Sequence, residues 1–281
     1  MPTTPFTALA CPLDGGPLHA GGASWRCANG HNFDIAREGY INLLPVQRKR
    51  SRDPGDSKAM VAARRRFLGR GFYQPIAEAV CRAVLAGPVP DGAVSCLDAG
   101  CGEGHYLRAL AAAAGEHRAL AVAGLDISKW AVQAAAKQAR PITWLVGSNA
   151  GLPVQAASLD WLLCLFGFPV YGEFARVLKP GGQLLMVDPG PDHLRELREI
   201  LYPRLRPPRE GEREAPAGFL LEAAETLRYP IHLDDRADIA DLLAMTPHLH
   251  RASAEGRARA EALDTLSLTV EVRLLRLARR P

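Results

Sequence analysis

Apolar positions change rhythm twice along the chain. From residue 91 to 281, short apolar runs alternate with Ala-rich segments of helical spacing, the signature of βαβ units and a parallel sheet. The runs predict strands at 94–99, 120–125, 143–146, 159–166 and 183–188, with helices at about 103–114, 128–140, 170–178 and 191–202. A Pro/Arg/Glu-rich stretch at 203–218 reads as an exposed loop. Two further strands, near 226–233 and 266–275, flank a helix at 236–244. That count suits a seven-stranded sheet whose last hairpin is antiparallel. From 46 to 90 a basic linker leads into a helix carrying Met60, Val61, Phe67 and Leu68, and a second helix spans 75–86. Residues 1–45 are rich in Gly and short polar residues and show little periodicity, so they read as a small loop-rich module. The expected division is therefore 1–45, 46–90 and 91–281.

Composition narrows the class. A chain of 281 residues can bury one good core and carry a small accessory domain. It contains no apolar run of about 18 residues, so no transmembrane helix is expected. Residues 1–10 lack the basic and apolar regions of a secretory signal. Cysteines at 11, 27, 81, 96, 101 and 164 are too sparse for a disulfide scaffold; a cytoplasmic, reducing setting is expected. The net charge of +4 is uneven, because residues 48–70 carry +7 and the remainder −3. Such a cluster suits contact with a polyanion, and equally a solvated helix face beside a flexible linker.

The segment Val94-Ser-Cys-Leu-Asp-Ala-Gly-Cys-Gly-Glu-Gly104 carries the chemistry. A buried strand runs into Asp98, then Gly100, Gly102 and Gly104, then an amphipathic helix. Glycines there allow a tight turn and close approach of backbone to a ligand at a helix start. A dinucleotide site wants a glycine where this chain has His105, so acid-x-Gly-x-Gly-x-Gly resembles motif I of class I methyltransferases instead. The next strand ends at Asp126, 28 positions after Asp98, suited to ribose hydroxyls, with Ile127 beside it. Ser148 and Asn149 follow the third strand, where an adenine edge would lie, and Phe174 to Gly182 looks like the helix-turn leading into strand five. These matches point to S-adenosyl-L-methionine, bound by Asp98, Gly100, Gly102, Gly104, His105, Asp126, Ile127, Ser148 and Asn149.

At the N-terminus, Cys11-Pro-Leu-Asp14 and Cys27-Ala-Asn-Gly-His31 have zinc-ribbon spacing, with Asp14 where a second Cys is expected. Asp14 can ligate zinc, His19 could replace it, or the module could have lost its metal and be held by Trp25, Phe33 and Tyr40. Beyond these residues, the chain resembles the RlmA family of large-subunit rRNA guanine-N1 methyltransferases. The resemblance lies in Trp25 to Pro45, Arg50-Ser-Arg-Asp-Pro-Gly-Asp56, Met60, Ala63-Arg64, Phe67-Leu68, Tyr73-x-Pro75, Pro189-Gly-Pro-x-His193-Leu and Met245-Thr-Pro247.

The resemblance implies a class I Rossmann-like α/β fold with a zinc-ribbon-like module, together forming a cleft that grips a 23S rRNA hairpin. Arg48, Lys49, Arg50, Arg52 and Arg64 are then expected to contact RNA phosphates. Phe166 and Phe168 are candidates to stack a flipped guanine, and equally core residues of their strand. Guanine N1 carries a proton at neutral pH; Asp188 and His193 are candidates to receive it, against a helix cap and a surface His. Cys164 sits inside a strand and reads as apolar rather than nucleophilic. Asp14, Cys164-Leu-Phe-Gly-Phe-Pro169 and His248-Leu-His250 depart from the family pattern. They leave open a small-molecule methyltransferase or a non-catalytic RNA-binding protein on the same scaffold. A homodimer is compatible with the resemblance, although composition shows none, and no membrane contact is expected.

Overall fold

The computed structural model describes residues 3–48, 51–86, 92–115, 118–205 and 215–281. The expected RNA contacts Lys49 and Arg50, and most of the 203–218 stretch, lie outside these. Three short strands, β1 (His19–Gly21), β2 (Ser24–Arg26) and β3 (Asn32–Asp34), form an antiparallel sheet of the N-terminal module. The next strand, β4 (Tyr40–Asn42), leaves it and joins the main sheet. Helices α1 (Lys58–Gly69) and α2 (Gln74–Leu85) follow. Ser57 caps the first by accepting the Met60 N–H, and Pro75 opens the second, where its missing N–H costs nothing.

The alternating zone then runs β5 (Val94–Ala99), α3 (His105–Ala114), β6 (Leu120–Asp126), α4 (Lys129–Gln138), β7 (Thr143–Val146), β8 (Leu159–Leu165), α5 (Tyr171–Val177), β9 (Leu178–Pro189) and α6 (Arg195–Leu201). It closes with β10 (Phe219–Leu233), α7 (Arg236–Met245), α8 (His248–Arg251), α9 (Ala254–Glu261) and β11 (Leu266–Arg279). The main sheet has the order β10-β11-β9-β8-β5-β6-β7-β4. The expected seven strands are present, and β10 and β11 supply the antiparallel hairpin. The eighth strand was hidden in the sequence. β4 is only three residues long, yet Tyr40 and Ile41 are buried on opposite faces of the sheet, and it pairs in parallel with β7.

Tyr40, one of the three residues that would hold a metal-free module together, is instead buried in the cluster on the far face, which includes residues of α1, α2 and α4. The module's own apolar residues, Phe6, Leu9, Leu18, Trp25 and Ile41, share a core with Leu97, Leu125, Leu145 and Val154 of the sheet and its loops. Residues 147–158 join β7 to β8 without a helix, and the N-terminal arm lies along them. Ala10 donates to the Pro153 carbonyl and Gln155 to that of Ala8 (3.0 and 2.9 Å). The module thus occupies the layer that a crossover helix would otherwise fill, which is how a sheet apolar on both faces stays covered there.

Candidate active site and metal centre

The order of the parallel strands reverses between β5 and β8, so a crevice opens at their carboxyl ends, where open α/β sheets bind ligands. Gly100, Gly102 and Gly104 turn the chain there. Gly104 has φ +82°, and a Cβ on it would collide with the Trp144 ring, so only glycine fits. The Gly102 N–H donates to Asp126 (2.9 Å), whose other oxygen accepts from the Ser128 N–H (2.7 Å). Asp126 thus ties the glycine loop to the end of β6, and each oxygen keeps a second lone pair for a ligand.

Asp98 stands at the heart of the turn. It is 1% exposed, and neither carboxylate oxygen has a hydrogen-bond partner among the described residues. Burial, with the Asp126 charge nearby, pushes its pKa up to about 8. A native fold rarely leaves a buried carboxylate orphaned, and the observation calls for a cationic or hydrogen-donating ligand. His105 Nε2 at the start of α3 is likewise buried without a partner, and burial lowers that ring's pKa. A glycine cradle, a ribose-competent acid and an unsatisfied carboxylate fit the sulfonium donor that the sequence suggests.

Asn149 donates to the carbonyls of Ala99 and Phe168 (both 3.3 Å), and Ser148 Oγ accepts the Ala150 N–H. Asn149 therefore braces the loop after β8 against the glycine turn. In that loop Phe166 has φ +55°, an uncommon conformation for a bulky residue. It lies in a near-parallel stack with Tyr73 (6.1 Å, 23°) and against His193 (6.0 Å). Phe168 is 85% exposed. The two phenylalanines, expected to act together, are separated: one is packed inside and the other faces out.

His193 is buried, not a surface residue. Its Nδ1 accepts the Glu271 backbone N–H (3.3 Å), and its Nε2 faces the Tyr73 hydroxyl (3.3 Å). Burial lowers its pKa to about 4. The ring is neutral at pH 7, and the Nδ1 acceptor role assigns the proton to Nε2. Asp188, half-buried near the end of β9, stands opposite Arg273 of β11 in the ladder. Cys164 is 1% exposed, and burial pushes its pKa up to about 12, which fits the apolar reading.

The basic segment divides. Arg64 pairs with Asp56 and donates to the Met245 carbonyl (3.1 Å). Arg66 grips Asp241 of α7 through two bonds (2.8 and 2.5 Å), and Arg70 lies 3.0 Å from Asp238. Arg52, Lys58 and Arg65 are exposed and form no ion pair with any described residue. Arg48 ends a short turn at Val46–Arg48. The Asp56 carbonyl accepts from Ser128 Oγ (2.7 Å), and Gly55, at φ +83°, leaves no room for a Cβ against Ile127 and Ser128. Gly55 and Asp56 thus lie against the carboxyl end of β6. Asp56, Tyr73 and the Met245 carbonyl were not foreseen as site groups. The contacts that bring them there span long stretches of chain, and periodicity carries no trace of those.

In the module, Cys11, Asp14, Cys27 and His31 point their ligand atoms into one spot, all within 4.8 Å of one another. His31 Nδ1 lies 3.0 Å from Asp14 Oδ2, 3.3 Å from Cys27 Sγ and 3.5 Å from Cys11 Sγ. A tetrahedral zinc with bonds of about 2.0–2.3 Å separates its ligands by about these distances. The donor set fits zinc, with Asp14 completing it. The Gly16 N–H and the Asn29 amide hold the Asp14 carboxyl well below its ordinary pKa, so it is the anion a metal needs. His19, the alternative fourth ligand, is exposed on β1 and is not in the cluster.

A methionyl-donor cradle at the switch point of a seven-plus-one-stranded sheet defines the class: an S-adenosylmethionine-dependent methyltransferase. Residues 96–182 match the methyltransferase domain family, and residues 9–52 match the family described as "RlmA, N-terminal", a zinc ribbon. The chain is 33% identical to YxjB of Bacillus subtilis (strain 168) over 97% of its length and 98% of that protein, which carries the provisional name 23S rRNA (guanine-N(1)-)-methyltransferase. It is 37% identical to the 23S rRNA (guanine(748)-N(1))-methyltransferase of Streptomyces fradiae, over 85% of this chain and 84% of that one. Among solved structures, the YcgJ protein of Bacillus subtilis covers 73% of the chain at 18% identity and a TM-score of 0.47. The chain belongs to the RlmA family of methyltransferases. No helix among the described residues is long and apolar enough to cross a membrane.

Proposed function

We propose that this enzyme methylates N1 of a guanine in a 23S rRNA hairpin, in the cytoplasm. The observation that carries the reading is end-to-end similarity to relatives named for that reaction, module included. One feature of the site supports it: an exposed Phe168, whose carbonyl is tied through Asn149 to the end of the strand that enters the cofactor turn, offers a ring on which a flipped base could stack. We assign 1–45 to RNA recognition, 46–90 to linking and covering the site, and 91–281 to catalysis. Bound S-adenosylmethionine supplies an electrophilic methyl group on a sulfonium, and displacement there depends on alignment more than on acid–base power.

Asp98 and Asp126 orient the donor. Asn149 sets the Phe168 loop that aligns the acceptor. Removal of the N1 proton falls to Asp188, because His193 Nδ1 is already occupied and its Nε2 is a donor. Arg52, Lys58 and Arg65 are the described cations of the segment left for phosphates. To test this, labelled cofactor and under-methylated 23S rRNA are incubated with the enzyme and the product is mapped by primer extension, which stalls at a base blocked on N1. One stop in one hairpin is the expected result. Transfer of label to small-molecule extracts but not to RNA would replace this reading with a small-molecule acceptor, and donor binding without transfer with an RNA-binding role.

A further inference from the structure

Arg64 was expected to touch RNA, but its surroundings point inward. Its Nη1 and Cδ lie 3.6 and 3.8 Å from where a Cβ on Gly102 would stand, so the guanidinium covers the middle glycine of the donor cradle. Burial pushes the pKa of Asp126 and of Tyr106 upward, and the Arg64 charge opposes that shift at both, so Arg64 shares their enclosure. Asp56 and the Met245 carbonyl engage it, one at each terminal nitrogen. A guanidinium has five N–H donors in a fixed fork, so further donors stay free on the side of the glycine loop.

The charge inventory favours one kind of guest. Asp56 and Asp126 lie beside Arg64, and Asp98 sits at the same turn. Of the described cations that reach the turn, Arg108 is paired with Glu103, and Arg64 is the one over Gly102. The donor's methionyl end carries a sulfonium and an ammonium, which suit the acids, and one α-carboxylate, which needs a donor of its own. We propose that Arg64 receives that α-carboxylate, held in place by Asp56 and the Met245 carbonyl. The assignment rests on S-adenosylmethionine being the cofactor. It makes Arg64 a cofactor-binding residue rather than an RNA contact, and it gives the Asp56-bearing segment the task of aiming that side chain.

Decarboxylated S-adenosylmethionine, which lacks only the carboxylate, separates this from a merely structural role. Titration calorimetry is run with S-adenosylmethionine and with the decarboxylated analogue on the wild type, Arg64→Ala and Arg64→Lys, each checked for folding by its thermal transition. The wild type should bind the intact donor about 10- to 100-fold more tightly than the analogue, the worth of a charge-assisted hydrogen-bonded pair. In Arg64→Ala that gap should close, with the analogue's affinity unchanged, and Arg64→Lys should fall between. Equal weakening of both ligands would overturn the proposal in favour of a latch on the covering segment, and no weakening of the intact donor would overturn it outright. A wild type that binds neither ligand nor S-adenosylhomocysteine would instead refute the cofactor assignment.

Discussion

Asp98 is the residue at which fold and chemistry pull hardest against each other. Burial without a partner makes its charged form expensive, so with a pKa of about 8 it is protonated at neutral pH in the free enzyme. A folded pKa raised above the unfolded one reverses the usual carboxylate linkage. Asp98 costs stability progressively as pH rises from about 4 to about 8, and Asp98→Asn should flatten that slope in thermal melts. A cationic donor lowers the pKa again, so binding should release a proton at pH 7. Calorimetry in buffers of different ionisation enthalpy reads this directly, and affinity should rise with pH until about 8; a pH-independent affinity with no proton release would refute the account. Phe168 makes the complementary case, because nothing in the fold needs it. Phe168→Ala should leave donor affinity and melting temperature unchanged while weakening the RNA reaction by about 1–3 kcal/mol, the worth of one base–aromatic stack.

Among elements, the segment 51–57 links the charged linker to the donor site. Gly55→Ala would place a Cβ 2.9 Å from Ile127 and Ser128 at a backbone angle that L-residues resist, so the cover must lift. The expected effect is faster donor dissociation, by stopped-flow fluorescence, at a cost of about 1–3 kcal/mol; an unchanged off-rate would show that the segment does not close the site. The sequence singled out Arg50-Ser-Arg-Asp-Pro-Gly-Asp56 only as a match to the family, within a basic linker, and showed nothing of where the segment lies in the fold. The parallel strands and the helices α3 and α4 were legible because each buries a run long enough to impose its own period. The glycine turn was legible because its residue types are dictated by close approach, as Gly104 against Trp144 shows. Strand β4 was not, since three residues carry no period, and α8 and α9 are too short and polar to announce a face. The family resemblance singled out Arg64 for RNA and left Arg66 and Arg70 as plain charges; the acid that the fold brings to each was not legible.

At the scale of the whole molecule, the metal centre and the catalytic sheet are one mechanical body. The apolar residues around Cys11 and Cys27 continue without a break into Leu97, Leu125 and Leu145, and β4 carries the module's chain into the main sheet. A structural zinc contributes its binding free energy to folding, so its loss should be felt wherever that core reaches. Removing the metal with a chelator, or changing Cys27 to Ser, should therefore lower the midpoint of a single cooperative transition in scanning calorimetry, by about 2–4 °C for each kcal/mol lost in a domain of this size. Two separate transitions, with the upper one unmoved, would mean that the module melts alone. The same union bears on RNA binding. Arg66 and Arg70 spend their charge holding α1 against α7, and Arg65 on the adjoining face spends none. Arg65→Ala should reduce the slope of log affinity for rRNA against log salt by about 1 and leave the melting temperature alone, while Arg66→Ala, which strands the sheltered Asp241, should do the reverse. If both substitutions lower the salt slope equally, the α1–α7 ion pairs open when RNA binds, and the fold's stability and its grip on the substrate draw on the same charges.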